Sequence, residues 1–273
     1  MGIAGAGNSS SLMATLFAPR LAQALGWRSV FGIAIVPVLL VWIAFFLLAK
    51  DAPLQRKVKT WGDYAAVFKV ADTGWFCWIY SLTFGGFVGL ASYLSVFFHD
   101  QYQLTKVQSS DVTTAVVLCG SFLRPVGEIL ADKLGGYLAG LCLAGVGTLP
   151  SAAVALALLA VAMRLLGMGN GSLFQVVPQR FASSVGIMTG VIGAAAGFCG
   201  FLLPSLLGIL KDKAGSFSFG VYLLALLMFA RSLARLSLRS YWTRTWSAEA
   251  ALRAGLTKQP PVPQGAYLCS SIN

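Results

Sequence analysis

The sequence is poor in charge, and poorest in acid. Asp and Glu number 9 against 20 Lys and Arg, and charged residues make up 11% of the chain, where a soluble domain carries about 25%. That shortage excludes an ordinary solvated surface. Histidine is nearly missing as well: the single one, His99, stands beside Asp100 without the H-x-x-x-H or H-E-x-x-H spacing of a metal site, so an intramembrane enzyme has no ligand set to work with. The 5 cysteines (Cys77, Cys119, Cys142, Cys199 and Cys269) show no metal-ligand spacing either, and four of them lie in apolar stretches as small packing residues. No phosphate-cradling glycine loop is present, so the sequence calls for no cofactor and any transport would run on a gradient. Met1-Gly-Ile-Ala-Gly-Ala-Gly-Asn8 lacks a basic n-region and does not read as a cleavable signal peptide.

What is abundant is apolar length. The chain is 57% hydrophobic with mean hydropathy +0.77, and its apolar stretches approach or exceed the roughly 20 residues that span a bilayer core. The expected fold is all-α, a polytopic membrane bundle with candidate spans near 2–22, 28–49, 75–98, 110–131, 137–149, 151–175, 184–210 and 217–238. Residues 137–149 form only a shortened span, yet two crossings are needed between Gly136 and Gly167 if later spans are to keep their orientation. Placing the basic loop Lys50-Asp-Ala-Pro-Leu-Gln-Arg-Lys-Val-Lys59 inside collects thirteen of the 20 Lys and Arg on that side. Arg20, Arg28, Lys106, Lys211 and Lys213 fall on the other, and Arg124 and Arg164 fall within spans. Cytoplasmic loops carry such an excess, so a cytoplasmic C-terminus is expected, and the net charge of +11 reflects a basic flank beside acidic lipid rather than nucleic-acid binding.

Arg124 is the most informative of these residues. It interrupts Val116-Val-Leu-Cys-Gly-Ser-Phe-Leu-Arg-Pro-Val-Gly-Glu-Ile-Leu130, and a guanidinium at the centre of a span costs roughly 2.5 to 3.5 kcal/mol on insertion scales. Its natural partner is a planar oxyanion, which matches its fork of donors. The alternative is a structural pair with Glu128, four residues on, across the turn that Pro125 perturbs. Arg164 has no acidic neighbour and reads as a residue snorkelling to an interface. Three strings of small residues, Gly5-Ala-Gly-Asn8, Gly167-Met-Gly-Asn-Gly171 and Gly190 to Gly200, allow helix backbones to approach closely. In a transporter, such helices also bend and slide.

These residues resemble a family. Arg124-Pro-Val-Gly-Glu-Ile-Leu-Ala-Asp-Lys-Leu-Gly-Gly136 is similar to the end of the eighth helix and the following cytoplasmic loop motif of the major facilitator superfamily. Gly5 to Asn8 and Gly190 to Phe201 resemble the two nitrate signatures of its nitrate/nitrite porters, in the fifth and eleventh helices, and Tyr80-Ser-Leu-Thr-Phe-Gly-Gly-Phe87 resembles their seventh helix. The resemblance implies a chain running from the fifth to the twelfth helix. Residues 1–49 would be the last two helices of the N-terminal bundle, 50–74 a central cytoplasmic loop, 75–238 a six-helix C-terminal bundle and 239–273 a cytoplasmic tail.

It further implies that Arg124 clamps nitrate or nitrite, that Tyr80 and Phe84 wall the anion, and that Asn8 and Ala194 complete the site. Gly5, Gly7, Gly190, Gly193 and Gly197 would serve conformational change, and Asp132 and Lys133 would latch helices from a cytoplasmic loop. The implied activity is nitrate/nitrite transport across the inner membrane, by symport with protons or by exchange. Another small anion as cargo, or a non-transporting remnant without the second-helix arginine that faces Arg124 in the family, are the alternatives.

Overall fold

The computed structural model describes residues 9–50, 60–122, 131–181 and 184–246, and these are almost wholly helical. Ten α-helices follow in order: α1 Ser9–Leu25, α2 Trp27–Leu48, α3 Trp61–Phe68, α4 Ala71–Tyr80, α5 Gly86–Tyr102, α6 Lys106–Phe122, α7 Ala131–Gly147, α8 Ala152–Arg180, α9 Val185–Ala214 and α10 Ser218–Thr245. One π-helical turn, Ser81–Gly85, joins α4 to α5 without a break, giving a continuous helix of 32 residues. At 1.5 Å per residue that is about 48 Å, more than a bilayer core needs. Among the described residues five helices are long and apolar enough to cross a membrane: Trp27–Leu48, Ala71–Tyr102, Ala152–Arg180, Val185–Ala214 and Ser218–Leu238. Helix α2 is apolar on every face and buries none of its residues, which is the signature of a helix whose solvent is lipid.

Two expectations from sequence need correction. The shortened span belongs to a longer helix than 137–149: α7 is described from Ala131 to Gly147, 17 residues, and includes the backbone of Asp132 and Lys133. Helix extension through Gly135 and Gly136 has a packing cause, because a Cβ on Gly136 would lie 2.1 Å from Ser232 Oγ of α10. Only glycine lets α7 lie that close. Gly140 meets the ring of Phe229 and Gly147 that of Tyr222, so one glycine edge of α7 runs along α10. The two crossings stay separate, with α7 and α8 folding back on each other through a turn at Leu149, whose φ is 53°. The hydroxyl of Tyr102 donates to Pro150 O in that turn at 2.8 Å.

The second correction concerns the glycine strings. Gly167 packs as expected: a Cβ there would stand 2.1 Å from Gly120 O, so the backbones of α6 and α8 touch. Gly190, Gly193 and Gly197 do not, because nothing lies within 4 Å of their Cβ positions. The reason is helix rotation. α9 turns its other face, Ala196, Cys199, Gly200 and Leu203, onto Gly85, Val88 and Gly89 of the long helix. Gly5 and Gly7 lie outside the described residues.

Buried residues form two apolar clusters. One centres on Phe87, Leu94, Phe97, Phe98, Met163 and Met228, the other on Phe76, Ile79, Tyr80, Met188, Ile192 and Trp242. α1 leans on α6, where Ser110 donates to Thr15 O and Arg20 lies 2.7 Å from Asp111.

The glycine contrast is testable by thermal unfolding in detergent. Gly167→Ala should cost about 1–3 kcal/mol, because its methyl meets backbone that cannot rotate away, whereas Gly197→Ala should be neutral or stabilising by up to about 1 kcal/mol through helix propensity.

Candidate functional site

The long helix carries polar features at its ends and in its middle. At the first end Asp72, 3% exposed, accepts from three donors: Arg180 Nε at 2.6 Å, Trp242 Nε1 at 2.9 Å and Trp246 Nε1 at 3.2 Å. One carboxylate thus ties the start of α4 to the ends of α8 and α10. The indoles also pack on Phe76, whose ring stacks on Trp242 at 5.2 Å. Sequence reasoning counted Arg180 as a loop cation and did not find this hub, since its members are separated by more than 100 positions. At the other end Asp100 pairs with Lys211, and His99 Nδ1 lies 2.6 Å from Leu104 O.

The middle of the long helix is where the π turn opens the backbone. Thr83, fully buried, turns its hydroxyl back to Ile79 O and Tyr80 O at 3.2 and 3.3 Å. Gly85 lets α9 come against the turn, for a Cβ there would sit 2.8 Å from Ala196 O. π turns of this kind recur at functional sites. Tyr80 precedes the turn and Phe84 lies within it, with ring centroids 5.2 Å apart and planes 2° from parallel. They stack on each other and so make one wall. Phe174 of α8 stands edge-on to Tyr80 at 4.8 Å and extends that wall.

Two buried polar residues near this wall carry no role in the sequence-derived site. Asn170 is 3% exposed, and neither atom of its carboxamide has a hydrogen-bond partner among the described residues. Arg231, 9% exposed, was counted with the inner-side cations, but the structure buries it in the bundle. Its guanidinium reaches Gly169, with Nη2 3.4 Å from where a Cβ would stand, and Thr83 Cγ2 is 3.3 Å from the same point. Gly169 is therefore the meeting place of the π turn, α8 and α10. The Gly-x-Gly-Asn-Gly string was the available signal, but of the asparagines in the glycine strings only Asn8 was placed in the site.

The other sequence-derived residues are placed as follows. Ala194 is exposed on α9, about 200° around the helix from both Ile192 and Ala196, which join Tyr80's cluster, so it faces away from Tyr80. Arg124, Glu128 and Asn8 lie outside the described residues. Of Asp132 and Lys133 only the backbone is described. Arg164 is exposed on α8.

An all-helical bundle among the described residues, with several membrane-length apolar helices, defines a multi-pass membrane protein. Residues 1–204 match the Major Facilitator Superfamily, and the chain belongs to that family. It is 30% identical over 228 residues to a protein named nitrite extrusion protein from Bacillus subtilis, covering 80% of this chain and 58% of the relative. It is 26% identical to a probable nitrate transporter NarT from Staphylococcus epidermidis, covering 82% and 60%. It is 27% identical to a probable nitrate/nitrite transporter NarK2 from Mycobacterium tuberculosis, again covering 82% and 60%. The chain thus spans about three fifths of the length of these curated relatives.

Removing the Asp72 carboxylate should show what the hub holds. Asp72→Ala strands Arg180 and two indoles, and breaking a buried, hydrogen-bonded charge pair costs about 3–5 kcal/mol; partial exposure of Arg180, 34%, puts the expectation at the lower end. Unfolding monitored by tryptophan fluorescence would read it directly, and a variant as stable as wild type would show that the hub carries no load.

Proposed function

We propose that the chain belongs to a secondary transporter of nitrate or nitrite, working by symport or exchange in the inner membrane with its C-terminus in the cytoplasm. The observation that carries this reading is the likeness to relatives named for nitrite extrusion and nitrate transport. It is supported by the aromatic wall of Tyr80, Phe84 and Phe174 in the apolar interior. In this reading Arg124 supplies the charge and the parallel N–H donors that a weakly basic planar anion needs. The rings keep water from the slot and hold the flat ligand against their faces. Asn8 remains a candidate for the wall, which Ala194, facing away from Tyr80, does not join, and Gly5, Gly7, Gly190, Gly193 and Gly197 remain candidates for helix movement. Asp132 and Lys133 are proposed as a latch working from α7. The division into 1–49, 50–74, 75–238 and 239–273 describes the working parts.

A second reading, that this chain alone does not carry the anion across, is favoured by the uncovered glycine face of α9 at Gly190, Gly193 and Gly197. Rocking transport requires two bundles that close over a shared site.

Nitrate uptake by transport-deficient cells expressing this chain separates the two. Arg124→Lys keeps the charge but loses the fork, and Tyr80→Ala opens the wall; each should lower uptake at least tenfold with membrane abundance unchanged. Full uptake in the Arg124→Lys variant would remove that residue from the site, and no uptake by wild type would establish the second reading.

A further inference from the structure

A buried carboxamide with no partner is unstable unless something visits it. Leaving both a donor and an acceptor unmatched in a low-dielectric interior costs about 1–3 kcal/mol per group, and Asn170 leaves both unmatched at 3% exposure. Its position is specific. Phe174, four residues on, shares its helix face and touches Tyr80 at 4.8 Å. Gly169, its neighbour, touches Thr83 of the π turn and the guanidinium of Arg231, and Gly167, one turn back, touches Gly120 of α6. Asn170 therefore stands one helical turn from the aromatic wall, where α6, α8, α10 and the π turn converge. A second buried group lies at the same junction: the hydroxyl of Ser121, next to Gly120, is 1% exposed and also lacks a partner among the described residues.

We propose that Asn170 is a ligand of the transported anion, donating its Nδ2–H groups to an oxygen of nitrate or nitrite held against the wall of Tyr80, Phe84 and Phe174. This rests on the anion-transport reading and adds to it a ligand from α8. Gly167 is required by backbone contact with Gly120 and Gly169 by the approach of Thr83 and the guanidinium, so the asparagine is the one polar side chain the string has to offer.

The test is binding to the full chain in lipid nanodiscs, read as the rise in unfolding temperature when sodium nitrate or nitrite replaces sodium chloride at constant ionic strength. Asn170→Leu removes the unmatched amide and fills its volume, so its unfolding temperature in chloride should be unchanged or higher. Asn170→Gln keeps the amide. Wild type should be stabilised by the anion; the Leu variant should need at least about tenfold more anion for the same effect, and the Gln variant should fall between. A merely structural asparagine would shift the chloride baseline and leave the anion midpoint alone, and that result would overturn the assignment while the transport reading stood. No anion-dependent stabilisation in wild type would overturn both.

Discussion

Backbone contact between helices is the constraint from which the rest of this bundle follows. In lipid there is little apolar drive pushing helices together, so association depends on close packing and on buried polar contacts. Here α6 and α8 meet at Gly120 and Gly167 with no space for a methyl group, and α7 lies on α10 along Gly136, Gly140 and Gly147. These approaches set the distances at which everything else meets. Thr83, Asn170 and Arg231 come to one place because Gly169 lets a helix, a π turn and a guanidinium share a corner.

The ends of the bundle are held by charge. Asp72 gathers a guanidinium and two indoles from two other helices, which satisfies a carboxylate that is otherwise costly to bury. The pair of Asp100 with Lys211 and that of Arg20 with Asp111 are more exposed and hold correspondingly less. Between the ends, the long helix spends its π turn on an interior that is aromatic on one side and polar on the other.

Much of the fold was legible in the sequence because hydropathy reports helices in lipid directly. The stretch 28–49 became Trp27–Leu48, and 184–210 became the greater part of Val185–Ala214. The narrower bounds 137–149 came from treating Asp132, Lys133 and two glycines as loop residues, whereas α7 includes them and Gly136 answers a contact invisible in one dimension. Tyr80 and Phe84 could be named from a motif, but not that their rings stack on each other across the start of the π turn.

The sequence by itself determined the solvent, the rough extent of the long apolar helices, and the family, because each is written in local composition or in contiguous motifs. Tertiary structure decided which glycines touch a neighbour, which arginine is buried and which asparagine is left without a partner. Those outcomes turn on the rotation of each helix about its axis, and rotation is set by residues far away in the chain: Ser232 for Gly136, Gly120 for Gly167, and Trp242 for Asp72.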